Sequence, residues 1–229
     1  MKAMMIGVLC AGILGAGTVT MPVARATTAP APIPAMEQAI AGATRYQLAT
    51  ATSAIGEVPP FTTTNIVVGN GAAMRVYGVF VAKKNGKTAR ADEYITGTKV
   101  CTRLGTPHFS CKNAPSDAAK AIKSLDPARL LIRPDVTLRV TPGAAKMVQG
   151  RTCDGYTLTG RFNTGETSTS MLYVMHGSSL PCELDGTIQV KLTNTDSNGK
   201  RTKTYTGKLQ WIWSRFNDPS LTIPSIPGS

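Results

Sequence analysis

The sequence predicts an α+β fold made mostly of β structure: a strongly curved antiparallel sheet with two or three short helices covering its concave face. Three observations predict it. Apolar and polar residues alternate with period two over about ten segments. Glycine- and asparagine-bearing turns join many of those segments as hairpins. Two short stretches with helical spacing interrupt the alternation between its early and late strands.

The N-terminus stands apart from this pattern. Lys2 supplies a small positive charge, an apolar uncharged run follows, and Ala24-Arg25-Ala26 offers small residues at the positions a signal peptidase accepts. Residues 1–26 therefore read as a signal peptide, cleaved after Ala26. The run is diluted by glycines and shorter than the roughly 20 residues a spanning helix needs. Cys10 lies inside it without the small preceding residue of a lipidation site. Residues 27–35 (TTAPAPIPA) read as a flexible Pro/Ala/Thr leader, and 36–229 as one carrier-like β domain.

The domain opens on a short helix over 36–43, where Met36, Ala39, Ile40 and Ala43 share one face. The period then changes to two, with strands expected at 46–53, 62–68, 74–83, 89–95, 99–102 and 109–112. Gly69-Asn70-Gly71, Asn85-Gly86 and Thr96-Gly97 supply turns between them, and Asn-Gly suits a two-residue hairpin loop. Residues 116–125 (SDAAKAIKSL) carry a helix signature: Ser116 caps, Asp117 faces the positive helix start, and Ala118, Ala121, Ile122 and Leu125 form the stripe. Asp126-Pro127 begins a second helical piece over 126–131.

From Asp135 the alternation resumes and assigns faces. Val136, Leu138 and Val140 share one; so do Tyr156, Leu158 and Phe162; so do Ile188, Val190 and Leu192; and so do Tyr205, Leu209, Trp211 and Trp213. The opposite positions carry Arg139, Thr157, Thr159, Arg161, Gln189, Lys191, Thr204, Lys208 and Gln210, so one face is wet and the other apolar. Residues 171–175 (MLYVM) are apolar on both sides and predict a central or covered strand.

Four cysteines follow the signal. An even count in an exported chain reads as two disulfides. The Gly105-Thr106-Pro107 turn folds Cys101 back towards Cys111, which leaves Cys153 for Cys182. Zinc is the weaker alternative, because neither pair has knuckle spacing and the chain's two histidines are His108 and His176.

The formal charge of +12 favours attraction to an anionic envelope surface. Its lysines and arginines are scattered, and no nucleic-acid motif accompanies them, so no nucleic-acid partner is predicted. No metal or cofactor is expected.

Catalytic constellations are missing from the motif inventory: no nucleophile elbow, phosphate loop, His-Glu-x-x-His or dinucleotide fingerprint. His176 adjoins Ser178 and Ser179, but sequence neighbours on a turn rarely form a nucleophile and base. The acids Asp154, Glu166, Glu183, Asp185 and Asp196 adjoin turns, where solvation explains them. A non-enzyme is expected, with a hydrolase of unrecognised site as one alternative. Trp211 and Trp213 could stack on sugar if exposed; sharing a face with Tyr205 and Leu209 predicts burial in a core or cavity wall.

Segment order and three stretches carry a resemblance. A short helix runs into RYQLATATS, then come a meander, SDAAKAIKSLDPARLL, more strands and a long last strand. The stretches are DPARLL with MVQGRTCDGYTLTG, SSLPCELDGTIQVKLT, and the tail RFNDPSLTIPSIP. Together they resemble the exported lipid-carrier superfamily of LolA and LppX over residues 36–227. The resemblance implies a half-barrel whose apolar concave face holds the acyl chains of a lipid or lipoprotein. The implied lining is Val136, Leu138, Tyr156, Leu158, Phe162, Ile188, Val190, Tyr205, Leu209, Trp211 and Trp213. The sequence departs from mycobacterial members in lacking a lipobox and from many members in carrying four cysteines. The expectation is a monomeric, extracytoplasmic carrier or sensor, periplasmic or secreted, with an envelope-binding adhesin as the other alternative.

Overall fold

The computed structural model describes residues 31–54, 60–69, 73–81, 88–96, 98–104, 108–114, 136–162, 167–196 and 199–223. The signal at 1–26, the helices expected over 116–131 and the turn centres at 70–71 and 85–86 lie outside these residues.

The first element is helix α1, Ile33–Ala41, which buries Ile33, Met36 and Ile40 at i, i+3, i+7 spacing. It starts three residues before the expected position and takes in Ile33, Pro34 and Ala35, which the sequence had assigned to the leader. The reason is Pro34: in a first helical turn, proline's fixed φ is favourable and its missing N–H has no partner to lose. Gly42 closes the helix, its N–H donating to the Gln38 carbonyl at 3.2 Å.

Eleven strands follow: β1 (Arg45–Thr52), β2 (Phe61–Val68), β3 (Ala73–Val81), β4 (Thr88–Thr96), β5 (Lys99–Leu104), β6 (Ser110–Asn113), β7 (Val136–Val148), β8 (Arg151–Phe162), β9 (Thr167–Met175), β10 (Pro181–Asp196) and β11 (Gly199–Ser214). They form one sheet in the order β6-β5-β4-β3-β2-β1-β11-β10-β9-β8-β7, every neighbouring pair antiparallel. The sheet is not closed into a barrel. Two meanders thus run outward from the middle, and the contact between β1 and β11 joins them.

Pairing of β1 with β11 sets Leu48 opposite Trp213 and Thr50 opposite Trp211, so the first and last strands merge their apolar rows. The tail after β11 reinforces this junction. Asn217 Oδ1 accepts from the Thr44 N–H and hydroxyl, the Asn217 N–H donates to the Arg45 carbonyl, and Arg45 Nη1 donates to the carbonyls of Pro219 and Leu221. Phe216 packs on Tyr46 with ring centroids 5.9 Å apart.

Two glycines permit close approach in the second meander. A Cβ on Gly155 would overlap the Ala144 carbonyl at the register shift in β7, and one on Gly186 would overlap the Ser170 side chain on β9. The expected disulfides are both formed, Cys101 to Cys111 across β5 and β6 and Cys153 to Cys182 between β8 and the start of β10. Among the described residues no helix is long and apolar enough to cross a membrane.

Candidate functional site

Directly opposed residues of antiparallel strands point to the same side, so the register assigns the whole sheet to two faces. From Trp213 the row runs through Leu48 and Asn65 to Val76, Glu93 and Thr102. In the other direction Trp211 opposes Leu184, which opposes Leu172, then Tyr156 and Pro142. Leu158 opposes Val140, Leu138 opposes Gly160, and Val136 opposes Phe162. Tyr205 opposes Val190, and Leu209 opposes Gly186.

All eleven residues expected as lining therefore share one face. Their depths differ. Leu158 and Trp213 are fully buried, whereas Val136, Leu138, Tyr156, Phe162, Tyr205, Leu209 and Trp211 are half-buried; Ile188 and Val190 are located by strand register alone. The main core contains Ile33 and Met36 of α1 together with Tyr46, Leu48, Leu158, Leu172, Leu184 and Trp213, with Leu138, Tyr156 and Trp211 packed at its margin. This is the helix-covered face. Trp211 and Trp213 meet edge to face at 5.9 Å between centroids, a favourable geometry for paired aromatics.

The other face has a smaller apolar cluster, Val148, Cys153 and Cys182 with Tyr173, Met175 and Ile212. It explains the apolar character of β9 on both sides: Leu172 and Val174 join the covered core, while Tyr173 and Met175 pack around the disulfide.

Buried acids lie on this second face and are paired. Asp92 receives both Nε and Nη2 of Arg75, at 3.0 and 2.8 Å, and Nη2 of Arg103 at 3.0 Å. Glu183 receives Lys146 Nζ at 2.9 Å and Gln210 Nε2 at 2.9 Å, and Lys146 also sits over the Tyr173 ring at 4.1 Å. These are cross-strand braces with their hydrogen-bonding capacity largely committed.

Two polar side chains of the covered face are incompletely matched. Asn65 Nδ2 donates to the Leu48 carbonyl and to Thr63 Oγ1, each at 3.1 Å. A carbonyl can only accept, so these contacts set the amide's orientation and leave Oδ1 without a donor. Among the described residues Trp213 Nε1 likewise has no acceptor. Each unpaired buried group costs about 1–3 kcal/mol. Glu93 has its pKa pushed up by burial, opposed by the positive charge of Lys112. Neither Asn65 nor Glu93 was singled out from sequence. The available signal was Asn65 itself, a poor strand former standing at an inward position of TTTNIVV.

The His176 turn holds an exposed pair, with Nδ1 at 3.1 Å from Asp154 Oδ2. The hydroxyl of Ser178 instead accepts from the Leu180 N–H at 3.5 Å. The described residues contain no group of three or more His, Cys, Asp or Glu side chains able to hold a metal ion.

No family model and no curated protein matches the chain. Solved structures do. LprF from Mycobacterium bovis matches over 84% of this chain and 94% of its own, with a TM-score of 0.55 and 11% identity. The fold is LolA/LppX-like. Lower in geometric agreement are the LolA superfamily protein NE2245 from Nitrosomonas europaea, at TM-score 0.26, 10% identity and 83% and 96% coverage, and MucB, at 0.34, 11%, 85% and 62%. The likeness is one of fold.

Proposed function

We propose that this protein is a non-catalytic, extracytoplasmic carrier or sensor that holds the acyl chains of an amphiphile against the helix-covered face of its sheet. The observation that carries the reading is the segregation of the two faces. An apolar surface continues across β7–β11 and β1, while the buried, ion-paired Asp92 and Glu183 and both disulfides lie on the other side. A fold without that bias would need no such division, since a sheet can place braces on either side.

The LolA/LppX-like fold supports the same reading, and two disulfides suit an oxidising compartment. Export through residues 1–26, with release after Ala26, completes it. Mass spectrometry of lipid extracted from protein purified out of its own host, paired with uptake of a fluorescent fatty-acid probe, tests the proposal. Bound amphiphile and saturable uptake are expected. Finding neither would overturn the carrier reading and favour the envelope-binding alternative, whose attachment to anionic polymer would collapse as salt screens exposed charge.

A further inference from the structure

The two unpaired atoms of the covered face are complementary. Asn65 Oδ1 is an acceptor without a donor, Trp213 Nε1 is a donor without an acceptor, and the residues are 1% and 2% exposed. They occupy one cross-strand row on either side of Leu48. With strands about 4.8 Å apart, their Cα atoms are separated by roughly 10 Å. They do not bond to each other. Ile33 and Met36 of α1 belong to the same core cluster as Leu48 and Trp213, so the helix helps to close this row.

We propose that Asn65 Oδ1 and Trp213 Nε1 anchor the polar linkage at the base of a bound acyl chain. The inference rests on the carrier reading above and narrows its ligand class. An ester or a carboxylate brings acceptors only; it would satisfy Trp213 and leave Asn65 unpaired. A secondary amide, or an ester with a free hydroxyl beside it, brings a donor and an acceptor and satisfies both. The favoured ligand is therefore an amide-linked or hydroxyl-bearing amphiphile. A fully esterified one is disfavoured, because a binding site whose buried polar groups go unmatched discriminates strongly.

Displacement of a fluorescent fatty-acid probe by the N-methyl amide of oleic acid and by its methyl ester tests this with one chain length and one changed atom. The full chain after signal removal is expected to bind the amide about tenfold more tightly, the scale of one net hydrogen bond. Trp213→Phe, which keeps an aromatic ring and loses the N–H, is expected to weaken amide and ester alike, since both carbonyls would accept from that N–H, and to leave the preference for the amide. Asn65→Leu, which removes the acceptor that only the amide can fill, is expected to abolish the preference while the ester still binds; should it fail to fold, the wild-type and Trp213→Phe comparisons still decide. Equal binding of amide and ester by the wild type overturns the anchor and leaves the carrier reading standing. Binding of neither, together with no probe uptake, overturns the carrier reading itself.

Discussion

The two faces of this sheet differ in how fully their most deeply buried polar side chains are matched. On the braced face Asp92 and Glu183 are almost fully buried, and each meets more than one donor. On the covered face Asn65 and Trp213 are just as deeply buried, and each keeps an atom unpaired. Desolvation penalises both sets equally, so the difference lies in what compensates it. Among the described residues, Asp92 and Glu183 are matched within the chain, whereas Asn65 and Trp213 keep unmet hydrogen-bonding capacity.

Removing the two tryptophans one at a time probes the covered face most strongly. Trp213→Ala empties a fully buried site and is expected to cost about 3–5 kcal/mol, measured by urea denaturation of the disulfide-intact protein. Trp211 is only half-buried. Trp211→Ala should cost clearly less while weakening uptake of the fatty-acid probe. Equal stability losses with unchanged uptake would mean that the tryptophans are plain core and the contrast between the faces is empty.

The braced face gives a smaller effect. Asp92→Ala leaves the Arg75 and Arg103 guanidinium groups facing each other, but their side chains are 26% and 37% exposed, so water relieves part of the cost. A loss of about 2 kcal/mol is expected, below the 3–5 of a fully enclosed pair, with no change in probe affinity. A binding defect in this variant would show that the faces are coupled.

The smallest effect is a pH dependence at Glu93. Burial pushes its pKa above the ordinary 4.5, so folding favours the protonated form. Any stability this gives is fully present below the unfolded-state pKa and is lost as pH rises through the folded one. Glu93→Gln should therefore match the wild type near pH 4 and become the more stable of the two at neutral pH, as read from thermal melts across the pH series. A variant less stable at neutral pH would show that the carboxylate is paired, and would bring the covered face closer to the braced one.

Much of this arrangement was legible beforehand, because strand faces follow from a local rule. A period of two places Tyr205, Leu209, Trp211 and Trp213 together without reference to any other part of the chain. The same holds for the rows beginning at Val136 and Tyr156. Cys101 and Cys111 flank a turn, so their pairing was also local, and once it is made the two remaining cysteines have one choice. The start of α1 was missed because a proline-rich run reads as leader unless Pro34 is weighed as a first-turn residue.

What tertiary structure alone decided is non-local. That β1 lies beside β11, setting Leu48 against Trp213, joins residues far apart in the sequence. The Arg75, Asp92 and Arg103 cluster arises because β3, β4 and β5 lie side by side. That Asn65 and Trp213 each retain an unpaired atom depends on every neighbour they could have met. The sequence by itself determined which side chains share a face and which cysteines can meet, since both follow from backbone geometry over a few residues. Only the assembled sheet could decide which buried polar atoms find partners, because desolvation and hydrogen bonding are properties of the surroundings that the whole fold creates.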